Sequence, residues 1–124
     1  MLDATLKRLA TEGRNIAAVT TLFADGTAQT QPVWIDADDD HLLFNTEVGR
    51  QKFRNITRDP RVTIAVWDAE HPYEYRELRG IVTETVQGPE ARAHIDQLAQ
   101  KYTGQDYAAP IKTERVIVKV SPKG

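Results

Sequence analysis

The chain has 124 residues, no cysteine and a formal net charge of −2, which suits one domain (1–124) with a single core and excludes disulfides and thiolate metal sites. Its 40% hydrophobic and 27% charged content is that of a globular protein, with no apolar run near the ~20 residues that cross a bilayer. A pI of about 5.9 argues against wholesale nucleic-acid binding, so any anion should be met locally.

Leu2, Leu6 and Leu9 recur at helical spacing before Gly13, which predicts a short amphipathic helix over 3–12. Charges interrupt its apolar positions, unlike a signal-peptide core, so a cytoplasmic setting is expected. Two β-rich runs, 15–23 and 27–36, flank Ala24-Asp25-Gly26 and predict a hairpin. The acidic cluster Asp36, Asp38, Asp39 and Asp40 lacks the glycine and distal glutamate of a calcium loop and is expected as a solvated turn. Residues 41–46 (HLLFNT) follow as a third strand.

Over 49–58 the period changes. Phe53 and Ile56 can share a buried face while Arg50, Arg54 and Arg58 form a polar stripe, which predicts a helix ended by Pro60. Residues 61–69 alternate as a fourth strand, and His71-Pro72 marks a turn. A long fifth strand covers 73–87, with Gly80 expected at a bulge or barrel bend. Gly88-Pro89 opens a helix through Ile95, Leu98 and Tyr102. Residues 103–113 form a loop, and RVIVKV (115–120) closes the chain as a sixth strand. Hairpin-connected strands with a few short helices do not make a parallel fold, and closure removes costly edges. The expectation is mainly β, an antiparallel barrel with peripheral helices.

His41, His71 and His94 share no metal-ligand spacing, so each is expected at the surface or in a turn, and no metal is expected. No nucleophile elbow, Walker loop or dinucleotide fingerprint is present, and no catalytic side chain stands out. The richest segment is GRQKFRNITRDPR, 49–61, which carries about +4 while the rest of the chain carries about −6. Thr46 at a strand end, Arg50 at the helix start, and Lys52 with Asn55 on a face other than that of Phe53 supply charge and donors for a phosphate. Charge alone is equally compatible with a solvated basic helix. A nucleic-acid backbone would be repelled by the acidic remainder.

Three stretches, QPVW (31–34), NTEVGRQKFRNITRDPRVTIAV (45–66) and PYEYRELRGIV (72–82), together resemble the flavin/deazaflavin split-barrel oxidoreductases, the pyridoxamine 5′-phosphate oxidase-like superfamily. The likeness is nearest to its coenzyme F-420-dependent branch. It implies a six-stranded split barrel of the FMN-binding type and a homodimer with the cofactor in a groove at the interface. It also implies that Thr46, Arg50, Gln51 and Lys52 grip the cofactor phosphate with Asn55 beside them. Gln31, Pro32 and Val33 would line the ring system, and Trp34 would either join them or pack.

The likeness departs from the oxidase in two places. Gln31-Pro32-Val33-Trp34 stands where the oxidase has an arginine-led segment, and no C-terminal Trp or Arg-x-His segment is present. The implied activity is hydride transfer from reduced coenzyme F-420 to an activated double bond or conjugated small molecule. The alternatives are an FMN enzyme and a non-catalytic flavin or deazaflavin binder. The product's proton would come from solvent or from a tyrosine such as Tyr73 or Tyr75, residues that equally suit packing.

Overall fold

The computed structural model describes residues 1–123. Its elements in chain order are α1 (Ala4–Thr11), β1 (Ile16–Leu22), β2 (Ala28–Trp34), β3 (Asp36–Ala37), β4 (Leu42–Glu47), α2 (Gln51–Arg58), β5 (Arg61–Trp67), β6 (Tyr75–Val86), α3 (Pro89–Thr103) and β7 (Arg115–Pro122). The strands form one antiparallel sheet in the order β2-β1-β5-β6-β7-β4-β3.

Seven strands appear where six were expected, because the run over 27–36 is two strands broken at Ile35. β2 pairs with β1 at one end of the sheet, and β3 pairs with β4 at the other. One continuous stretch of chain therefore belongs to both edges, and the curled sheet closes on itself through it. The break leaves the backbone of Ile35 outside any ladder, and α3 satisfies it. The Ile35 N–H donates to Tyr102 Oη at 3.1 Å, and its carbonyl accepts from Lys101 Nζ at 2.8 Å. That carbonyl and amide would otherwise be orphaned in a residue with no solvent exposure.

Alternation explains most of the core. Ala17 and Val19 of β1, Val62, Ile64 and Val66 of β5, and Val116, Val118 and Val120 of β7 point inward with Leu42 and Phe44 of β4. Leu6, Leu9 and Ala10 of α1 and Ile56 of α2 complete this cluster, and Phe53 packs against it. α1 starts where Asp3 accepts from the Leu6 N–H at 2.9 Å. α3 lies on the outside of β4 and β7, where Ala91 meets Leu43 and Ile117, so these two strands are covered on both faces.

Three expectations need correction. The bulge in β6 falls between Val82 and Glu84 and not at Gly80. Gly80 pairs with Val62 on one side and Pro122 on the other, and a Cβ there would lie 2.3 Å from the Ser121 carbonyl oxygen. Close backbone approach is what demands that glycine. Asp36 is not in the acidic turn but in β3; the turn is made by Asp38, which accepts from the N–H groups of Asp40 and His41. His94 is not a surface residue: it is 6% exposed and held between Asn45 and Asp36. Among the described residues, no helix is long and apolar enough to cross a membrane, and no group of three metal-binding side chains forms.

Candidate functional site

A cavity of about 380 Å³ opens on the outer side of the barrel, lined by Ile16, Pro32, Val33, Trp34, Asn45, Arg50, Lys52, Ile95, Leu98, Tyr107 and Arg115. One end is apolar. There Ile95 and Leu98 of α3 pack with Ile16 and Trp34. Trp34 both packs and lines the wall, stacked on Tyr102 with ring centroids 5.3 Å apart and edge-on to Tyr107 at 6.2 Å. Pro32 is tolerated in β2 because that strand pairs on one side only, with β1.

The other end is cationic. Lys52 sits in the first turn of α2 and is 7% exposed, its stem buried. Its ammonium opens to the cavity, and among the described residues it has no carboxylate partner. Burial, and then the neighbouring Arg50 and Arg115 guanidiniums, pull its pKa down to about 8. A buried, unpaired lysine beside two arginines is costly in the free protein, and a bound anion would relieve that cost.

Among the described residues, Glu47 is the one acid that enters this cluster directly, and it is already engaged. Its Oε1 accepts from the N–H groups of Lys112 and Thr113 and from the Thr113 hydroxyl at 3.1, 2.8 and 3.1 Å. Its Oε2 meets Arg50 at 3.2 Å and Arg115 at 3.3 Å. Burial opposes the Glu47 charge, but the Thr113 and Lys112 hydrogen bonds, with Arg50, hold its carboxyl below the usual range. Three cations against one carboxylate leave the cavity end about +2.

Of the residues expected at the site, Pro32, Val33, Arg50 and Lys52 line the cavity. Gln31, Thr46, Gln51 and Asn55 do not. Lys52 and Asn55 part company: Asn55 has no exposure, donates to Thr21 Oγ1 at 3.0 Å and accepts from Gln51 at 2.8 Å, tying α2 to β1. Thr46 alternates onto the barrel's inner face with Leu42 and Phe44, and its buried hydroxyl has no partner among the described residues. Arg54 is spent on the Gly49 carbonyl and Gln51, and Arg58 on the Leu22 carbonyl. Tyr73 and Tyr75 lie exposed, away from the cavity wall; the tyrosine on that wall is Tyr107.

Asn45, Tyr107 and Arg115 were not expected. Their signals were faint: an asparagine inside an otherwise apolar HLLFNT run, and an arginine opening the apolar RVIVKV strand.

Residues 2–124 match the family model described as pyridoxamine 5′-phosphate oxidase. Among solved structures, the chain is similar to an F-420 reductase at 30% identity and a TM-score of 0.82, over 100% of this chain and 97% of that one. A conserved hypothetical protein from Mycobacterium tuberculosis is 24% identical with a TM-score of 0.74, over 100% and 82% of the two chains. An FMN-binding protein from Syntrophomonas wolfei subsp. wolfei shares the fold at 10% identity and a TM-score of 0.66, over 95% and 81%. No curated protein matches the sequence significantly. The sheet order, the closing strand broken at Ile35 and the match across residues 2–124 agree: the chain belongs to the pyridoxamine 5′-phosphate oxidase family and has its split-barrel fold.

Proposed function

We propose that this protein is an oxidoreductase that binds the deazaflavin coenzyme F-420 in the cavity described above and uses it on an activated double bond or conjugated small molecule. The observation that carries this reading is Lys52: a side chain only 7% exposed whose ammonium reaches the cavity with no carboxylate partner among the described residues, flanked by two arginines, at one end of a groove whose other end is apolar and aromatic. Likeness to an F-420 reductase supports the choice of cofactor. The residues present fit such a group, which has an anionic tail and a planar ring.

When bound, the deazaflavin supplies or accepts a hydride at its ring. The chain's own work is binding, orientation and exclusion of water. Lys52 and Arg50 hold the phosphate from the cavity wall, and Gln51 and Asn55 serve it indirectly by fixing α2 against β1. Gln31, Pro32 and Val33 support the ring from β2, and Trp34, Ile95 and Leu98 keep that end dry. No side chain is assigned a covalent or acid–base step. In this reading the working unit is a homodimer with the groove at its interface, which light scattering of the purified protein would check.

FMN is the alternative cofactor. A site of about +2 suits the doubly charged phosphomonoester of FMN as well as a phosphodiester carrying nearby carboxylates. Fluorescence titrations with both cofactors, side by side, test the reading. Saturable binding of F-420 in the tens of micromolar or below, tighter than FMN, is expected, and no response to either would overturn it. Reoxidation of the reduced cofactor by conjugated acceptors then separates an enzyme from a protein that only binds.

A further inference from the structure

Arg115 opens β7 directly opposite Glu47 of β4, is 4% exposed, and faces the same cavity end as Lys52 and Arg50. Its guanidinium is pinned on three sides. Nε donates to Asn45 Oδ1 at 2.8 Å, Nη1 donates to Glu47 Oε2 at 3.3 Å, and the Tyr107 ring lies 5.1 Å beneath it. A guanidinium has five N–H groups; Asn45, Glu47 and the neighbouring Tyr107 engage part of that set and leave donors on the cavity side for a ligand.

Behind Arg115 the hydrogen-bond roles are forced one after another. Asp36 is ionised, because the His94 and Ala37 hydrogen bonds outweigh the burial that opposes its charge. It accepts from His94 Nε2 at 3.0 Å, so that ring nitrogen carries a proton. The other ring nitrogen, Nδ1, lies 3.1 Å from Asn45 Nδ2 and is the acceptor there, because an amide nitrogen can only donate. Asn45 Nδ2 gives its second hydrogen to the Ala91 carbonyl at 3.0 Å. Both amide hydrogens are committed, so Oδ1 is the atom left to meet Arg115. A flipped amide would set an NH₂ group against a guanidinium.

We propose that Arg115 is a third ligand for the anionic group, and that Asn45, His94 and Asp36 are positioning residues that aim it. The ligand class is a dianion: a phosphomonoester, or a phosphodiester with an adjacent carboxylate. This rests on the functional reading above for the identity of the cofactor, but not for the role of Arg115 toward anions.

The test is a fluorescence titration with coenzyme F-420 and, in parallel, FMN, on wild type, K52M, R115A, R115K, H94L and H94N, each first shown to be folded by its thermal transition. R115A should weaken binding about 10- to 100-fold, and R115K should recover part of that, since a lysine restores charge without the fork. H94L should cost about 3- to 10-fold. H94N, whose Oδ1 can still accept from Asn45, should stay within about 2- to 3-fold of wild type. That rescue is something a merely space-filling histidine would not show.

Weakening in K52M with R115A and R115K both at wild-type affinity would overturn the inference and leave the functional reading standing. H94L at wild-type affinity, or H94N no better than H94L, would overturn the positioning chain. If wild type binds neither cofactor, the functional reading falls, and calorimetry with inorganic pyrophosphate decides Arg115 separately. Weaker pyrophosphate binding in R115K supports the assignment, and equal binding overturns it.

Discussion

On β4, Leu42, Phe44 and Thr46 face the barrel interior, whereas Leu43, Asn45 and Glu47 face α3 and the segment 104–114. Both rows are buried, yet they are stabilised differently. The inner row is almost wholly apolar and works through packing. The outer row hands over within six residues from Leu43 to a hydrogen-bonded ion cluster with Asn45, Glu47 and Arg115. Truncating an inner residue should therefore cost stability without touching ligand binding, and removing an outer cation should do the reverse.

The largest expected effect is on the inner row. Phe44 is fully buried in the main cluster, so Phe44→Ala should destabilise the fold by ~3–5 kcal/mol through a cavity that cannot fully collapse. Urea unfolding measures this. Cofactor affinity of the fraction that remains folded should be unchanged, and a parallel loss of affinity would mean that the two rows are mechanically one.

Lys52→Met should stabilise the free protein. The lysine's folded pKa of about 8 lies below the ~10.4 of an unfolded chain, so between these values the unfolded state binds more protons. Stability of the wild type should accordingly rise with pH from about 8 upward, by up to ~3 kcal/mol, and the full penalty is present below pH 8. Tyr102, pushed up to about 12 by burial, works in the opposite sense above pH ~10, and Lys101, lowered by burial, works in the same sense as Lys52, so the contrast with K52M below pH ~10 isolates Lys52. Unfolding midpoints at pH 7.5 and 9.5 should differ in wild type and much less in K52M.

The same substitution should weaken cofactor binding by ~1.5–3 kcal/mol, because a charge-assisted contact to phosphate is lost. An anion raises the Lys52 pKa, so binding takes up a proton above pH 8, and affinity should fall as pH rises from 7.5 to 9.5. K52M should lack that slope. One variant that gains stability while losing affinity is the mark of a residue held in place for a ligand.

Much of the fold was legible because its periods are simple. β1 and β5 alternate cleanly, α2 shows a three-residue apolar step, and turns carry Asp-Gly or Pro. The closing break at Ile35 was not legible, since the groups that satisfy its backbone, Tyr102 and Lys101, lie more than sixty residues away. The site divided along the same line. Arg50 and Lys52, which line the cavity, sit in one local basic segment, while Arg115 meets Asn45 across 70 positions. Asn55 and Gln51 share the polar character of Lys52, but their partners are Thr21 and Arg54. Residue type on a short helix shows which groups are polar, not which wall each one faces.

Thr46 is where the two rows can be told apart most finely. Its place at the end of β4 suggests a phosphate ligand, but alternation turns it inward, where its hydroxyl has no partner among the described residues. Thr46→Val keeps the shape and removes the hydroxyl. A buried unpaired hydroxyl costs free energy, so if Thr46 belongs to the inner row the variant should be as stable as wild type or gain up to ~1 kcal/mol, with cofactor affinity unchanged. If the hydroxyl instead reaches the phosphate once a ligand is bound, affinity should drop by ~1 kcal/mol while the free protein is still stabilised. Denaturation and titration on this one variant therefore place the boundary between core and site at Thr46 or one residue to either side of it.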